Sequence, residues 1–334
     1  MRSLCVAVPK AEAESVLQIL RSKGLLRKGL AVARAGDTIF FPVMERIDVG
    51  HPVEEWEFQE AFTPVRSYKD VANVPPELKP LLPTSYDIIG DIAIIKIPDE
   101  LTAHADEIAR SILAANTNVH VVAADGRVKG PLRIRELRIL AGPNRTETVH
   151  REHGLAYAVD AAKAYFSPRL GTERLRIAEQ VRPGEVVVDM FAGVGPYAIL
   201  IAKLRRPRTV IAVDANPDAF RYLEENIRRN RAEAVVAELG DALDVIKRVD
   251  PPNRVIIDYP QDPRPAYEAA LSRVLPGGTI HLYAILEAAD REDWERIIVD
   301  VASPRGRSAV VVARREVHGW SPSQKLFAFD VGVT

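Results

Sequence analysis

Apolar and polar positions follow three textures along the chain. From Ala11 to Ser22, Val16, Leu17, Ile19 and Leu20 fall on one side of a helical repeat and predict an amphipathic helix. The run Asp37–Val43 then reads as a short strand, so residues 1–65 predict a small α+β domain. Two acidic, aromatic, proline-broken stretches, His51–Phe62 and Tyr68–Pro83, predict a connection rather than regular structure.

Residues 66–155 predict a second α+β domain. Ile88–Ile95 is rich in β-branched residues, Ala103–Ala115 is helical in pattern, and Leu132–Leu140 alternates apolar with charged positions. From 156 to 334 the texture becomes repeated strand and helix. The runs Val186–Asp189, Thr209–Asp214, Val255–Asp258 and Thr279–Tyr283 are short and apolar, with helical stretches such as Pro217–Arg231 and Pro263–Leu275 between them. Continuous apolar strands separated by helices predict an α/β domain with a parallel sheet covered on both faces. Ser308–Arg314 and Leu326–Val333 predict a terminal antiparallel pair.

Composition narrows the class. The 334 residues exceed one ordinary core and predict two or three domains. The early apolar run Leu4–Val8 stops at Pro9, too short for a signal peptide or a membrane span. A single cysteine, Cys5, excludes an internal disulfide framework and a cysteine-based zinc cluster, so a cytoplasmic setting without a metal site is expected. A formal net charge of −1 gives no global field for nucleic acid. Arginine is locally dense around Arg133–Arg138, Arg169–Arg176, Lys203–Arg208 and Arg228–Arg231. One such cluster is commonly a solvated face; several beside one candidate site suggest a phosphate-bearing partner.

The candidate chemistry sits where parallel strands end. Ligands of doubly wound sheets bind at the carboxyl ends of the strands, and three strands end there in Asp189, Asp214 and Asp258. Between Asp189 and the next helix lies Phe191-Ala192-Gly193-Val194-Gly195-Pro196. Glycines at 193 and 195 predict close approach of backbone N–H groups to a ligand. Asp214 stands where a carboxylate accepts both hydroxyls of a ribose, and Asp241 where a third loop meets an adenine. The same stretch matches the dinucleotide pattern G-x-G-x-x-A, so NAD is a rival. Against it, a carboxylate before the loop suits a cationic tail better than a pyrophosphate, and Pro196 lacks an amide that would cradle phosphate. These features favour S-adenosylmethionine. Asp258-Tyr259-Pro260 adds the polar-x-Pro turn with which amino-group methyltransferases hold a planar nitrogen substrate, although such a turn alone is commonly only a turn.

Several segments, in fixed order, carry a resemblance. Leu132–Gly142, Asn144–His150, Tyr165–Arg174 and Asp189–Pro196 resemble the archaeal and eukaryal tRNA (guanine-37 N1)-methyltransferases, archaeal type, and residues 1–65 resemble their small first domain. The resemblance implies a class I Rossmann-like methyltransferase domain with smaller amino-terminal α+β domains. It implies S-adenosylmethionine as cofactor, tRNA (anticodon loop and body) as partner, no membrane and no obligate protein partner. In the family's pattern Glu173 is the general base for guanine N1 and Arg133 stabilises charge on O6. Arg135 rivals Arg133, because strand alternation puts both on one face. Tyr165 and Arg169 match positions beside cofactor and substrate, Phe191 packs on the cofactor, and Tyr259, Pro260 and Asp258 hold the base. One departure is Asp258, where the family usually has asparagine: aspartate accepts from a guanine N–H but cannot donate. Methylation of a tricyclic wyosine precursor and aminocarboxypropyl transfer are related activities. Pro196 fits the methyltransferase branch, since the aminocarboxypropyl branch carries histidine there. A non-catalytic RNA-binding protein with a vestigial cofactor fold is the alternative from another class.

Overall fold

Four consecutive buried residues, Val186–Asp189, form an interior strand of the largest sheet. A computed structural model describes residues 1–60, 67–129, 134–321 and 323–334. Contacts divide the chain into two units, Met1–Asp70 and Val71–Thr334.

The first unit is a four-stranded antiparallel sheet with one helix. Its elements are β1 (Arg2–Pro9), α1 (Ala13–Ser22), β2 (Ala33–Ala35), β3 (Thr38–Pro42) and β4 (Val53–Glu57), in sheet order β2-β3-β1-β4. Helix α1 buries Ala13, Val16 and Leu20, the i, i+3, i+7 positions, against Val6, Val8, Ile39 and Phe41. Ile19, expected on that face, is solvent-exposed. The stretch His51–Phe62, expected as a connection, contains β4, which pairs with β1 from Val53 to Glu57. Its glutamates mask a strand because an edge strand keeps a polar outer face. Trp56 stacks on Phe40 with ring centroids 3.8 Å apart.

The first unit ends within a helical turn, α2 (Tyr68–Val71), and the second begins at its last residue, Val71. A mixed sheet follows: β5 (Asp87–Ile89), β6 (Ile92–Ile95), α3 (Ala105–Ala115), β7 (Val121–Lys129) and β8 (Ile134–Ala141), in order β5-β6-β7-β8. The β-rich run Ile88–Ile95 is therefore a hairpin, turned at Gly90-Asp91. A second hairpin, β9 (Glu147–Glu152) with β10 (Leu155–Asp160), leads to α4 (Gly171–Gln180). Ile89, Ile92, Ile94 and Val121 share one core with Val159, Phe166, Val194 and Tyr222, so the mixed sheet is packed onto the domain that follows.

That domain runs β11 (Val186–Asp189), α5 (Pro196–Arg205), β12 (Thr209–Asp214), α6 (Pro217–Asn230), β13 (Val235–Leu239), α7 (Ala242–Arg248), β14 (Arg254–Ile257), α8 (Arg264–Arg273), β15 (Gly278–Glu287), α9 (Arg291–Ala302), β16 (Ala309–Gly319) and β17 (Gln324–Val333). Its seven strands lie in order β13-β12-β11-β14-β15-β17-β16. The first five are parallel and the last two antiparallel, as expected from the apolar runs. Strand order reverses between β11 and β14, which opens a crevice at their carboxyl ends. Two apolar layers, one containing Val188, Val255 and Ile280 and the other Ile177, Ile199 and Tyr283, cover the sheet. No helix among the described residues is long and apolar enough to cross a membrane.

Candidate active site

The crevice is built from the turns that leave four neighbouring strands. A cavity of about 350 Å³ is lined by Met190–Gly193 after β11, Asp214–Asn216 after β12, Gly240–Leu243 after β13, and Asp258, Tyr259 and Asp262 after β14. Gly193 takes φ +55°, a left-handed turn that frees its N–H to donate to Asp214 Oδ2 at 2.7 Å. Asp214 Oδ1 accepts from the Asn216 N–H at 2.8 Å. Two backbone donors thus fix this carboxylate, and each oxygen keeps capacity for a further donor such as a ribose hydroxyl. Burial still raises the pKa of Asp214. Asp241 caps α7, accepting from the Leu243 N–H at 2.8 Å, and lines the same cavity. Phe191 and Tyr259 stack with centroids 4.8 Å apart and form an aromatic wall. Tyr165, Ser167 and Arg174 close the other side.

Two loop residues act differently from expectation. Gly195 does not line the cavity. A Cβ there would lie 2.5 Å from Leu223 Cδ1, and its φ is +90°, so it is glycine for backbone shape and packing under α5, not for ligand approach. Gly195→Ala is expected to lower the unfolding free energy by about 2 kcal/mol. An unchanged denaturant midpoint would show that the helix shifts to admit the methyl. Asp189 also lies beneath the cavity rather than on its wall, completely buried. Neither of its oxygens has a hydrogen-bond partner by geometry among the described residues, although the Phe191 N–H favours its charged form. Desolvation, then the charges of Asp258 and Asp214, push its pKa up to about 8.

A second cavity of about 450 Å³ adjoins the first and shares Tyr165, Ser167 and Tyr259 with it. Arg135 is 9% exposed there, 5.5 Å over the Tyr165 ring, and neither its Nε nor its Nη1 has a hydrogen-bond partner among the described residues. Arg169, expected beside the cofactor, lines this second cavity instead and donates to Asp87 at 2.7 Å. Tyr259 lines both cavities; Pro260 lines neither and instead accepts from the Ile285 N–H at 3.0 Å. Arg133 lies outside the described residues.

Glu173, the expected general base, lines neither cavity and is 1% exposed. Its carboxylate accepts from Tyr283 Oη at 2.8 Å and Arg176 Nη2 at 2.7 Å, with Arg315 at 3.4 Å. Arg176 also pairs with Asp330, which holds His281 at 2.7 Å, and His281 meets Arg254. These partners hold the Asp330 carboxyl below the usual range, while burial holds the His281 imidazole below its own. The arginines between 169 and 176 are therefore not one solvated face. Arg174 is buried, donating to Glu152 and to the Ser167 carbonyl, both at 2.8 Å. Sequence reading also passed over Asn226, completely buried on α6. Its side chain ties Ala158 to the Val194 carbonyl and so fixes the loop from behind. Polar residues on helices carry no sequence signal that separates such interior ties from solvated positions.

Residues 148–306 match the TRM5/TYW2 methyltransferase domain, residues 70–146 the TYW2 N-terminal domain, and residues 5–49 the tRNA methyltransferase 5 N-terminal domain. The tRNA (guanine(37)-N(1))-methyltransferase Trm5b of Pyrococcus abyssi is 41% identical over 335 residues, covering 99% of each chain. The chain belongs to the Trm5 family. A solved complex of aTrm5 and tRNALeu matches it with TM-score 0.81 at 31% identity, covering 98% of this chain and 99% of that one. Methanocaldococcus jannaschii TYW2 in complex with AdoMet matches with TM-score 0.58 at 25% identity, covering 75% of this chain and 99% of that one. The seven-stranded domain is thus the Rossmann-like methyltransferase domain of this family, preceded by smaller α+β parts.

Proposed function

We propose that this protein transfers the methyl group of S-adenosylmethionine to N1 of guanosine at tRNA position 37. The observation that carries the reading is the pair of adjoining cavities that share Tyr165, Ser167 and Tyr259, in a chain of the Trm5 family. The residues of the first cavity suit the cofactor. Asp214, held by two backbone donors, takes the ribose; Asp241 and Leu243 face the adenine; Phe191 packs on it. Asp189, buried with no side-chain partner among the described residues, is the counter-charge for the cationic amino-acid end. When bound, the cofactor supplies an electrophilic methyl group.

The second cavity receives the base, turned out of the anticodon loop so that its edge is accessible. Guanine N1 carries a proton and becomes nucleophilic when that proton leaves. Charge then moves to O6, where Arg135 (or Arg133, its neighbour in sequence) stabilises it. Tyr259 packs on the base, and Asp258 accepts from one of its N–H groups. Glu173 takes the N1 proton. Hydrogen bonds of a catalytic base often form only with substrate present, so its paired state in the free protein is compatible with this role. Arg315 is its exposed partner, the one that tRNA binding can draw away. The unit Met1–Asp70 contacts the body of the tRNA, and the setting is the cytoplasm, where tRNA is the partner.

Similarity to the tRNA 4-demethylwyosine(37)-methyltransferase Taw21 of Saccharolobus solfataricus, 39% identical over 216 residues, and Asp258 in place of asparagine favour a second reading: methylation of a wyosine precursor at the same position. The two separate by product. Purified protein, S-adenosylmethionine and unmodified tRNA are expected to yield 1-methylguanosine. Product formed only from tRNA carrying the precursor would replace the first reading with the second.

A further inference from the structure

The hairpin of β16 and β17 brings to the second cavity two aromatic rings that no role above uses. His318 and Trp320 line it together with Gly319, Gln261 and Arg169. Pairing of the two strands slips between Glu316 and His318, and a bulge of this kind re-aims the side chains that follow it. His318 and Trp320 are two positions apart and so emerge on one side of the hairpin. Their rings lie nearly parallel, 18° between planes, with centroids 6.3 Å apart.

The backbone around them is fixed. His318 Nδ1 donates to the Gly319 carbonyl at 2.8 Å. The N–H groups of Trp320 and Ser321 both donate to the Gln324 carbonyl, at 2.9 and 3.0 Å. The Gln324 N–H returns a bond to Ser321 Oγ at 3.1 Å. A turn closed in this way presents the rings to a ligand at little further entropic cost.

Depth separates the walls of the cavity. Arg135 is nine-tenths buried, whereas Trp320 is 37% exposed and the Arg169 side chain 46%. Trp320 therefore stands at the mouth and not on the floor, and Arg169 shares that opening. Arg315, on the same hairpin, is also half-exposed. An indole with a third of its surface in water, near two guanidiniums, suits a ligand with flat apolar faces on an anionic backbone. Single-stranded RNA has that chemistry. Turning the acceptor base into the cavity breaks its stacks with the bases on either side. Those neighbours stay at the mouth, because the backbone ties them to the acceptor.

We propose that Trp320, backed by His318, is a stacking platform for one of the two bases that flank the acceptor nucleotide. The platform replaces a stack lost when the acceptor turns out. It does so without reading the base, since every base has a π-face. The inference rests on the methyl-transfer reading above, and the test separates the two.

The test measures tRNA binding by wild type, Trp320→Ala and Trp320→Phe on three tRNAs. One is intact, and two lack only the base at nucleotide 36 or at nucleotide 38. Methyl transfer to the intact tRNA by wild type is the outcome on which the reading itself depends. Given that transfer, Trp320→Ala is expected to bind intact tRNA about tenfold more weakly, and Trp320→Phe within about threefold of wild type. S-adenosylmethionine binding by calorimetry, unchanged in both variants, shows that each is folded. On one of the abasic tRNAs wild type should itself bind about tenfold more weakly, and there Trp320→Ala should cost less than about twofold more. Equal wild-type affinity for all three tRNAs overturns the platform without the use of any variant. A Trp320→Ala loss that persists in full on both abasic tRNAs, or no loss on intact tRNA, also overturns it. Each of these results leaves the methyltransferase reading intact.

Discussion

Asp189→Asn is expected to weaken S-adenosylmethionine binding by about 30-fold or more, while making the ligand-free protein harder to unfold above pH 8. Both effects come from one buried carboxyl, without a side-chain partner among the described residues, whose pKa stands near 8 in the folded protein against an ordinary 3.8. Between those values the folded chain keeps a proton that the unfolded chain releases. The contribution of Asp189 to stability is therefore fully present below about pH 4 and is lost as pH rises through 8. The whole change is on the order of 5 kcal/mol, since each pKa unit is worth about 1.4 kcal/mol. Asparagine has no such proton to lose, so the variant lacks the decline. A cationic ligand beside Asp189 has the opposite effect and favours the ionised form. Wild-type affinity should then rise from pH 6 to pH 8 with release of a proton, and the affinity of Asp189→Asn should be flat. Calorimetric titration in buffers of different ionisation enthalpy reads both quantities. Equal affinity of the two proteins across that range would remove Asp189 from the cofactor site.

The second large effect is expected at Glu173. Glu173→Gln should lower single-turnover methyl transfer by about 100- to 1,000-fold, the range for loss of a general base, and change cofactor affinity less than threefold. The same substitution leaves Arg176 and Arg315 facing a neutral amide in a buried setting and should lower stability. Stability alone does not slow the folded enzyme, so rate and unfolding midpoint must be measured together. A lower midpoint with a wild-type single-turnover rate would make Glu173 a structural anchor for Arg176 and Tyr283 and would leave the proton acceptor elsewhere. Tyr283→Phe sharpens the reading, because it removes one donor to Glu173 and leaves the charge.

The parts of this protein that were legible in its sequence are those with one-dimensional signals. Strands β11, β12 and β14 are short apolar runs ended by aspartate, and their parallel packing follows from burial on both faces. The loop through Gly193 announces itself by composition. Strand β9 did not, because its exposed and half-buried positions alternate without an apolar face. Strand β4 was hidden by its glutamates and α9 by its polar first turn, Arg291-Glu292-Asp293. At the site, residue identity suggested chemistry but not depth. Asp189 and Gly195 lie under the cavity wall, Arg169 stands in the neighbouring cavity, and Glu173 is enclosed by partners from distant strands. Asp125, which also lines the second cavity, is a lone aspartate after Ala124 with no sequence pattern; only the pairing of β7 with β8 brings it beside Arg135. Contacts between residues more than 100 positions apart, such as Tyr283 with Glu173, are set by sheet order and not by any local period.

The most direct test of the central claim is the mass of one RNA fragment. An unmodified tRNA is incubated with the protein and S-adenosylmethionine carrying an isotope-labelled methyl group, then cut by ribonuclease and digested to nucleosides. Methyl transfer to guanine N1 predicts one labelled methyl in the fragment that contains nucleotide 37, released as 1-methylguanosine, and none when adenosine replaces that guanosine. Label on another nucleotide, on another atom of guanine, or only in tRNA that already carries the tricyclic precursor would contradict it.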